Sequence, residues 1–147
     1  MKKIILMFLI SMTIGLVHAQ TVSENDLPEA VSKKFKKMYK TVTDADWSQT
    51  GDNFKATFEL NKLKNEIVMD EKGNIVEKKE AVAIATLPQP ISPYMSKNHK
   101  GFKIKEAYKI TDDKKAVTYE VHSKNKAGDE AGALFDGKGK FLSDVGQ

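Results

Sequence analysis

An internal repeat constrains the fold of this chain more than any other feature of its sequence. The tetrapeptides at 26–29 (Asp-Leu-Pro-Glu) and 86–89 (Thr-Leu-Pro-Gln) match at an offset of 60 residues. Further along the chain, Ala56–Leu60 matches Val117–Val121 in residue type at an offset of 61. Matches that persist at nearly one period indicate a duplicated structural unit. We therefore predict two tandem repeats within the chain.

Each repeat is predicted to open with a helix. In the first repeat, apolar residues recur at three- and four-residue steps over 27–40, which gives a single apolar stripe. In the second repeat, Pro90 and Pro93 interrupt the stripe, because a proline past the first turn removes a backbone donor. The second helix is therefore predicted either to be shorter or to begin with Ser92 as its cap. We interpret the tetrapeptide before each helix as a capping box.

Alternating segments after each helix predict antiparallel strands. Apolar and polar residues alternate over 54–60 and again over 117–122, which is the pattern of a strand with one buried and one solvated face. Ile104, Tyr108 and Ile110 form another alternating set, and counting by twos places Tyr108 inside the protein.

Two short glycine-containing segments predict hairpin turns. Asp-x-Lys-Gly occurs at 70–73 and at 136–139, and its final glycine is free to take the positive φ of such a turn. Together, these patterns predict that each repeat is one helix followed by a four-stranded antiparallel meander. The predicted fold class is α+β, with two such tandem repeats, over 25–81 and 86–147, packed as one body. A unit of about 60 residues buries only ~60% of its unfolded surface and is marginally stable alone.

The first 19 residues have the layout of a secretory signal peptide. Lys2 and Lys3 precede an apolar run from Ile4 to Val17, and Val17 and Ala19 place small residues at the −3 and −1 positions. As a helix the apolar run reaches ~21 Å, which is short of a ~30 Å hydrocarbon core. We predict cleavage after Ala19, a periplasmic or secreted protein, and no transmembrane segment after cleavage.

Composition removes several classes of function. The chain has no cysteine, which excludes a disulfide scaffold, a thiolate zinc site and a cysteine nucleophile. All 24 basic residues are lysines, and loss of Lys2 and Lys3 with the signal peptide lowers the net charge from +4 to +2. Arginine supplies most bidentate contacts to phosphate and guanine. Nucleic acid is therefore not predicted as a partner.

Catalytic and metal-binding motifs do not emerge from the sequence. His99 and His122 lie in different repeats, whereas a metal needs several converging ligands. Ser123 and Lys126 match the Ser-x-x-Lys motif, but they lie in a predicted hairpin loop and not at the start of a helix. No catalytic residue, no metal site and no cofactor are predicted.

Two surfaces are candidates for binding. The solvated face of the predicted sheet would receive a protein or peptide partner on Lys55, Thr57, Glu59, Thr118, Glu120 and His122. The basic side of the first helix would lie against anionic lipid or glycan through Lys33, Lys34, Lys36 and Lys37. An ordinary solvated sheet face and an ordinary solvated helix face are the alternatives to these two interpretations.

The succession of these motifs resembles the PepSY-like family, which is also described as β-lactamase-inhibitor-protein-like. The resemblance rests on two copies of Leu-Pro-x-x-Val/Ile-x-x-x-Phe/Met, on the alternating strands and on Asp-x-x-Gly before the last strand, and it covers about 25–147. It implies an exported bacterial protein of tandem helix-plus-four-strand units that binds or inhibits other proteins without catalysis.

Our hypothesis from the sequence is an exported, non-catalytic binding protein. It would dock on, or inhibit, an envelope protein such as a peptidase or a β-lactamase. The alternative is a structural or stress-related envelope protein whose lysine-rich first helix binds anionic lipid or glycan.

Overall fold

The computed structural model describes residues 20–145. The predicted signal peptide, with its cleavage site after Ala19, lies outside the described residues. The described part of the chain forms one nine-stranded antiparallel sheet, in which the order of the strands follows the chain. Two helices pack on one face of this sheet.

The strands form an uninterrupted meander. They are β1 (Gln20–Val22), β2 (Ala45–Thr50), β3 (Asn53–Leu60), β4 (Leu63–Asp70), β5 (Ile75–Ala81), β6 (Lys103–Asp112), β7 (Val117–Lys124), β8 (Glu130–Asp136) and β9 (Phe141–Val145). Helix α1 spans Glu29–Met38 and helix α2 spans Ile91–Asn98. A short 3-10 turn precedes each helix, at Glu24–Asp26 and at Ile84–Thr86.

The predicted fold class, α+β with two repeats of one helix and a four-stranded meander, is wrong. β5 pairs with β6 from Glu77–Asp112 to Ala81–Tyr108, so the sheet continues across the middle of the chain. β1 adds an edge strand that neither predicted repeat contained. The helices have only 10 and 8 residues, and the protein is mostly β. Sequence matches show which segments resemble one another, but not which edges pair, and separate sheets would leave unpaired backbone groups at their edges.

Two hydrophobic cores lie between the helices and the sheet. α1 places Val31 and Phe35 against β2, β3 and β4, where the buried residues are Trp47, Phe54, Ala56, Phe58, Ile67 and Met69. α2 places Ile91 and Met95 against β6, β7 and β8, where they are Ala107, Val121, Ala133 and Phe135. Each helix thus covers its own part of the same sheet face.

Both helices begin directly after a proline, Pro28 or Pro90, with no side-chain cap hydrogen bond. The predicted capping boxes are therefore wrong. The second helix is shorter than the first, as predicted, but it begins at Ile91, so Ser92 is not its cap.

A β-bulge in β6 reverses the alternation of its side chains. Ile104 and Glu106 pair with consecutive residues of β7, so Lys105 is an extra residue between them. Ile104 packs in the α2 core, the next core residue is Ala107, and Tyr108 lies on the opposite face. The prediction that Tyr108 faces inward is wrong, because counting by twos assumes a strand without a bulge.

The Asp-x-Lys-Gly turns form as predicted, and Gly73 and Gly139 have φ angles of 77° and 85°. In the first turn, the Asp70 carboxylate accepts a hydrogen bond from the backbone N–H of Asn74 at 2.8 Å. A Cβ atom on Gly73 would lie 2.7 Å from the carbonyl oxygen of Ala30, at the start of α1. Glycine at this position allows the β4–β5 turn to approach the helix.

A charged and aromatic cluster on the open face of the sheet

The helices cover only one face of the sheet, and we call the other face the open face. Side chains of directly paired residues lie on the same face. The strand register therefore gives one row across the open face: Thr57, Glu66, Lys79, Ile110 and Thr118, on β3 to β7 in turn. By the same register, this face also includes Lys55, Val68, Glu106, Tyr108, Glu120, His122 and Leu134.

The residues predicted to dock a partner divide into two groups on this face. Lys55, Thr57 and Glu59 lie on β3, whereas Thr118, Glu120 and His122 lie on β7. Three strands separate the groups, and at about 4.8 Å per strand the separation is about 19 Å. The six residues are therefore two ends of a wide surface and not a single cluster.

Glu120 is the centre of the ionic contacts on the open face. Lys79 Nζ donates hydrogen bonds to both Glu120 carboxylate oxygens, at 2.9 and 3.0 Å, and His122 Nε2 lies 2.5 Å from Oε1. The side chains of Glu120 and Lys79 are only 15% and 20% exposed. Burial disfavours ionisation of Glu120, but the hydrogen bonds from Lys79 and His122 outweigh it and lower the pKa of this carboxyl group.

Tyr108 lies next to this cluster and supplies its aromatic surface. Its hydroxyl donates a hydrogen bond to Glu106 at 2.8 Å, and Lys79 Nζ lies 4.7 Å from the centre of its ring. That separation is within the range of a cation–π contact. Burial raises the pKa of Tyr108 to about 12, and the hydrogen bond to Glu106 adds to this effect. Tyr108 therefore remains a neutral donor at physiological pH.

Aliphatic side chains accompany the charged groups on the open face. Val68, Ile110 and Leu134 are half-buried there, on β4, β6 and β8. At the β3 end, Lys55 and Glu66 lie 3.9 Å apart in a looser and more exposed ion pair. Tyrosine and aliphatic side chains surrounded by polar groups are the composition of many protein–protein interfaces.

Sequence comparison identifies the family of this chain. The model of the family described as "Putative beta-lactamase-inhibitor-like, PepSY-like" matches residues 16–77 and 52–143. The chain belongs to the PepSY-like family. The resemblance predicted from the repeated Leu-Pro motifs and the Asp-x-x-Gly turns is thus confirmed. No protein with curated annotation matches the sequence.

Solved structures from Bacteroides species share the fold. A protein from Bacteroides eggerthii, described as "putative periplasmic", has a TM-score of 0.69 at 17% identity, over 81% of this chain and 88% of that chain. A DUF2874 family protein from Bacteroides uniformis has a TM-score of 0.66 at 17% identity, over 80% and 88% of the two chains. A BLIP-like protein from Bacteroides fragilis has a TM-score of 0.60 at 16% identity, over 81% and 85%.

Sequence reasoning missed several residues of the PepSY-like open face. Lys79 lies in β5, where four charged residues in succession at 77–80 hide any alternation. The bulge in β6 places Tyr108 on the open face and not on the predicted inner face, and it places Glu106 beside it. Glu66 could have been found, because β4 alternates regularly and its buried positions are Asn65, Ile67 and Met69.

The lysines of α1 lie away from the open face, on the helix-covered side of the sheet. Lys33 pairs with Glu29 at 2.5 Å, and Lys36 pairs with Glu24 at 2.9 Å. Within residues 20–145, no ion pair includes the two other lysines of the predicted anionic-surface set, Lys34 and Lys37. All four side chains are exposed.

The other polar residues considered in the sequence lie apart from one another. His99 follows α2 and lies 4.0 Å from Asp144, whereas His122 belongs to the open-face cluster. Ser123 is buried and donates a hydrogen bond to the carbonyl oxygen of Ala131. In the described part of the chain, no three acidic or histidine side chains are placed to hold a metal ion. No helix within 20–145 has the length and apolar character needed to cross a membrane.

Proposed function

We propose that this PepSY-like protein is an exported, non-catalytic binding protein that docks a protein or peptide partner on its open face. The observation that carries the proposal is the cluster of Lys79, Tyr108, Glu120 and His122, which is half-buried on the face that the helices leave uncovered. The family description, β-lactamase-inhibitor-like, supports an envelope enzyme such as a β-lactamase or a peptidase as the partner.

The geometry of the cluster favours binding by a preformed surface. Each side chain projects from a strand whose backbone is paired on both sides, which limits the ordering needed on binding. Tyr108 offers a rigid amphipathic ring, the type of side chain that commonly anchors interfaces. Because Glu120 already holds Lys79 and His122, a partner does not have to cover an uncompensated charge.

We also propose export, with removal of residues 1–19 after Ala19. The sequence pattern supports this proposal, and so does the description of the Bacteroides eggerthii protein of the same fold as periplasmic. The partner would then be met in the periplasm or outside the cell.

Affinity capture from periplasmic extract tests the proposed docking surface. The immobilised protein is compared with Glu59→Lys and Glu120→Lys variants, and with Glu71→Lys in the exposed β4–β5 turn as a matched charge-reversal control. We expect one specific partner to be retained by the protein and the control and lost from the open-face variants. Circular dichroism checks that every variant is folded. Equal capture by all four proteins would exclude the open face.

The alternative function is a structural or stress-related envelope protein that binds anionic lipid or glycan through α1. The exposure of Lys34 and Lys37, which make no ion pair within residues 20–145, supports it. Co-sedimentation with anionic liposomes or polysaccharide across a salt series separates the two functions. Salt-sensitive binding that is lost when Lys33, Lys34, Lys36 and Lys37 are changed to Glu would favour this alternative.

A further inference from the structure

A lysine-lined cavity lies at one end of β6 and β7, beside the hairpin that joins β7 to β8. Its volume is about 550 Å³, within the range of small-molecule sites at roughly 300–1,000 Å³. Five of the residues that line it are lysines: Lys100, Lys103, Lys105, Lys124 and Lys126.

Two features of the sheet bring these lysines together. Lys103 and Lys124 are directly opposite each other on β6 and β7, although like charges in this position destabilise a sheet. The bulge in β6 inserts Lys105, which lines the same cavity. The fold therefore places three lysines around one cavity, and two of them lie opposite each other on neighbouring strands.

The charge of this cavity is largely uncompensated. Lys124 pairs with Glu130 at 3.0 Å. For the other four lysines, no carboxylate within residues 20–145 lies within 4.0 Å. Among the residues described, one of the five lysines that line the cavity thus has a carboxylate partner. Elsewhere on the open face, by contrast, Lys55 and Lys79 each have an acidic partner.

We propose that this cavity binds a ligand that carries two or more phosphate groups. An ammonium group is a compact charge with three donors, and it binds phosphate well without the planar geometry of a guanidinium. A ligand with several negative charges would neutralise the cavity and relieve the repulsion between Lys103 and Lys124. The methylene stems of the lysines can line the walls while their charged ends reach the phosphates.

Titration calorimetry with inorganic pyrophosphate and with inorganic phosphate tests the site. We expect pyrophosphate to bind more tightly, because it engages more of the ammonium groups. A Lys103→Gln/Lys124→Gln variant should lose about tenfold in affinity per lysine, the factor expected for one charge-assisted hydrogen bond. The variant removes like charges from opposite positions, so it is expected to fold at least as well, which a thermal melt checks.

Matched controls make the result specific. Lys33→Gln/Lys36→Gln removes two charges from α1, and Tyr108→Ala removes the aromatic group of the open face; both should bind pyrophosphate as the parent does. Sedimentation with phosphatidylcholine vesicles, with and without phosphatidic acid, shows whether a lipid headgroup supplies the phosphates. The site is supported if pyrophosphate or vesicles with phosphatidic acid bind to the parent protein and this binding is lost only in the Lys103/Lys124 variant. The proposal would be overturned if neither pyrophosphate nor vesicles with phosphatidic acid bound to the protein. It would also be overturned if the α1 variant lost as much affinity as the Lys103/Lys124 variant.

Discussion

At the scale of single residues, Glu120 and Lys79 determine the character of the open face. Glu120 holds partners from two strands, Lys79 on β5 and His122 on its own strand, and both carboxylate oxygens are engaged. Ion pairs that are exposed contribute little to stability, because water and salt screen them. This pair is mostly shielded from solvent, so the loss of one partner leaves the other charge poorly solvated.

Replacing Lys79 with Met should therefore destabilise the protein by roughly 1–3 kcal/mol, the cost of leaving one oxygen of a shielded carboxylate without a donor. The matched control is Lys55→Met, which breaks a 3.9 Å pair whose side chains are 44% and 27% exposed. An exposed pair of this kind contributes about 0–1 kcal/mol. Urea denaturation of both variants measures the difference, and equal losses would show that the Lys79–Glu120 contact is no stronger than a surface ion pair.

Two tyrosines should ionise only at unusually high pH in an alkaline titration. Burial raises the pKa of Tyr39 to about 12, with a further contribution from the nearby Glu80 charge, and Tyr108 has the same value. Folding favours the neutral form of both, so their contribution to stability is complete below pH 10, the ordinary pKa, and is lost as the pH rises through about 12. Ultraviolet absorbance follows the ionisation, and Tyr39→Phe and Tyr108→Phe should each remove one late step. A Tyr108→Phe variant with an unchanged late step would contradict the described environment of this side chain.

At the scale of elements, turns and bulges position the strands relative to the helices. The β4–β5 turn passes so close to α1 that a Cβ atom on Gly73 would meet backbone, whereas a Cβ on Gly51 would meet nothing within 4 Å. Both glycines have positive φ. Comparison of the two positions therefore separates the cost of the backbone conformation from the cost of close approach.

Gly51→Ala should destabilise the protein by about 1–2 kcal/mol, because an alanine is strained at positive φ. Gly73→Ala should destabilise the protein by more than this, since the turn must also move away from the carbonyl group of Ala30. Thermal melts of the two variants give the comparison. A loss at Gly73 no larger than the loss at Gly51 would mean that the turn moves away from α1 without cost.

Much of the element pattern could be predicted from the sequence, and the failures have physical causes. Alternation over 54–60 and 117–122 correctly located β3 and β7, because each has one buried and one solvated face. Tyr108 was assigned to the wrong face because a one-residue bulge moves every later side chain of the strand to the opposite face. The residue types in β6 do not reveal the bulge. Local sequence patterns do not show which strand edges pair, so they could not predict the pairing of β5 with β6. The boundaries predicted for the repeats, 25–81 and 86–147, stay a prediction.

At the scale of the whole molecule, one continuous sheet supports two separate cores and leaves one broad face uncovered. α1 and α2 each cover their own group of strands, and β5 and β6 join the two halves of the sheet through backbone hydrogen bonds. The open face extends across that join, since Lys79 on β5 contacts Glu120 on β7. A partner docked there would therefore contact both halves of the protein.

The affinity of the captured partner for a Tyr108→Ala variant tests the central claim most directly. Titration calorimetry compares this variant with the parent protein and with Lys97→Ala on α2 as a control. If the open face is the docking surface, loss of its aromatic anchor should weaken binding by about 30-fold, the effect of removing ~2 kcal/mol of a central contact, and the control should bind as the parent does. Unchanged affinity of a folded Tyr108→Ala variant would contradict the account.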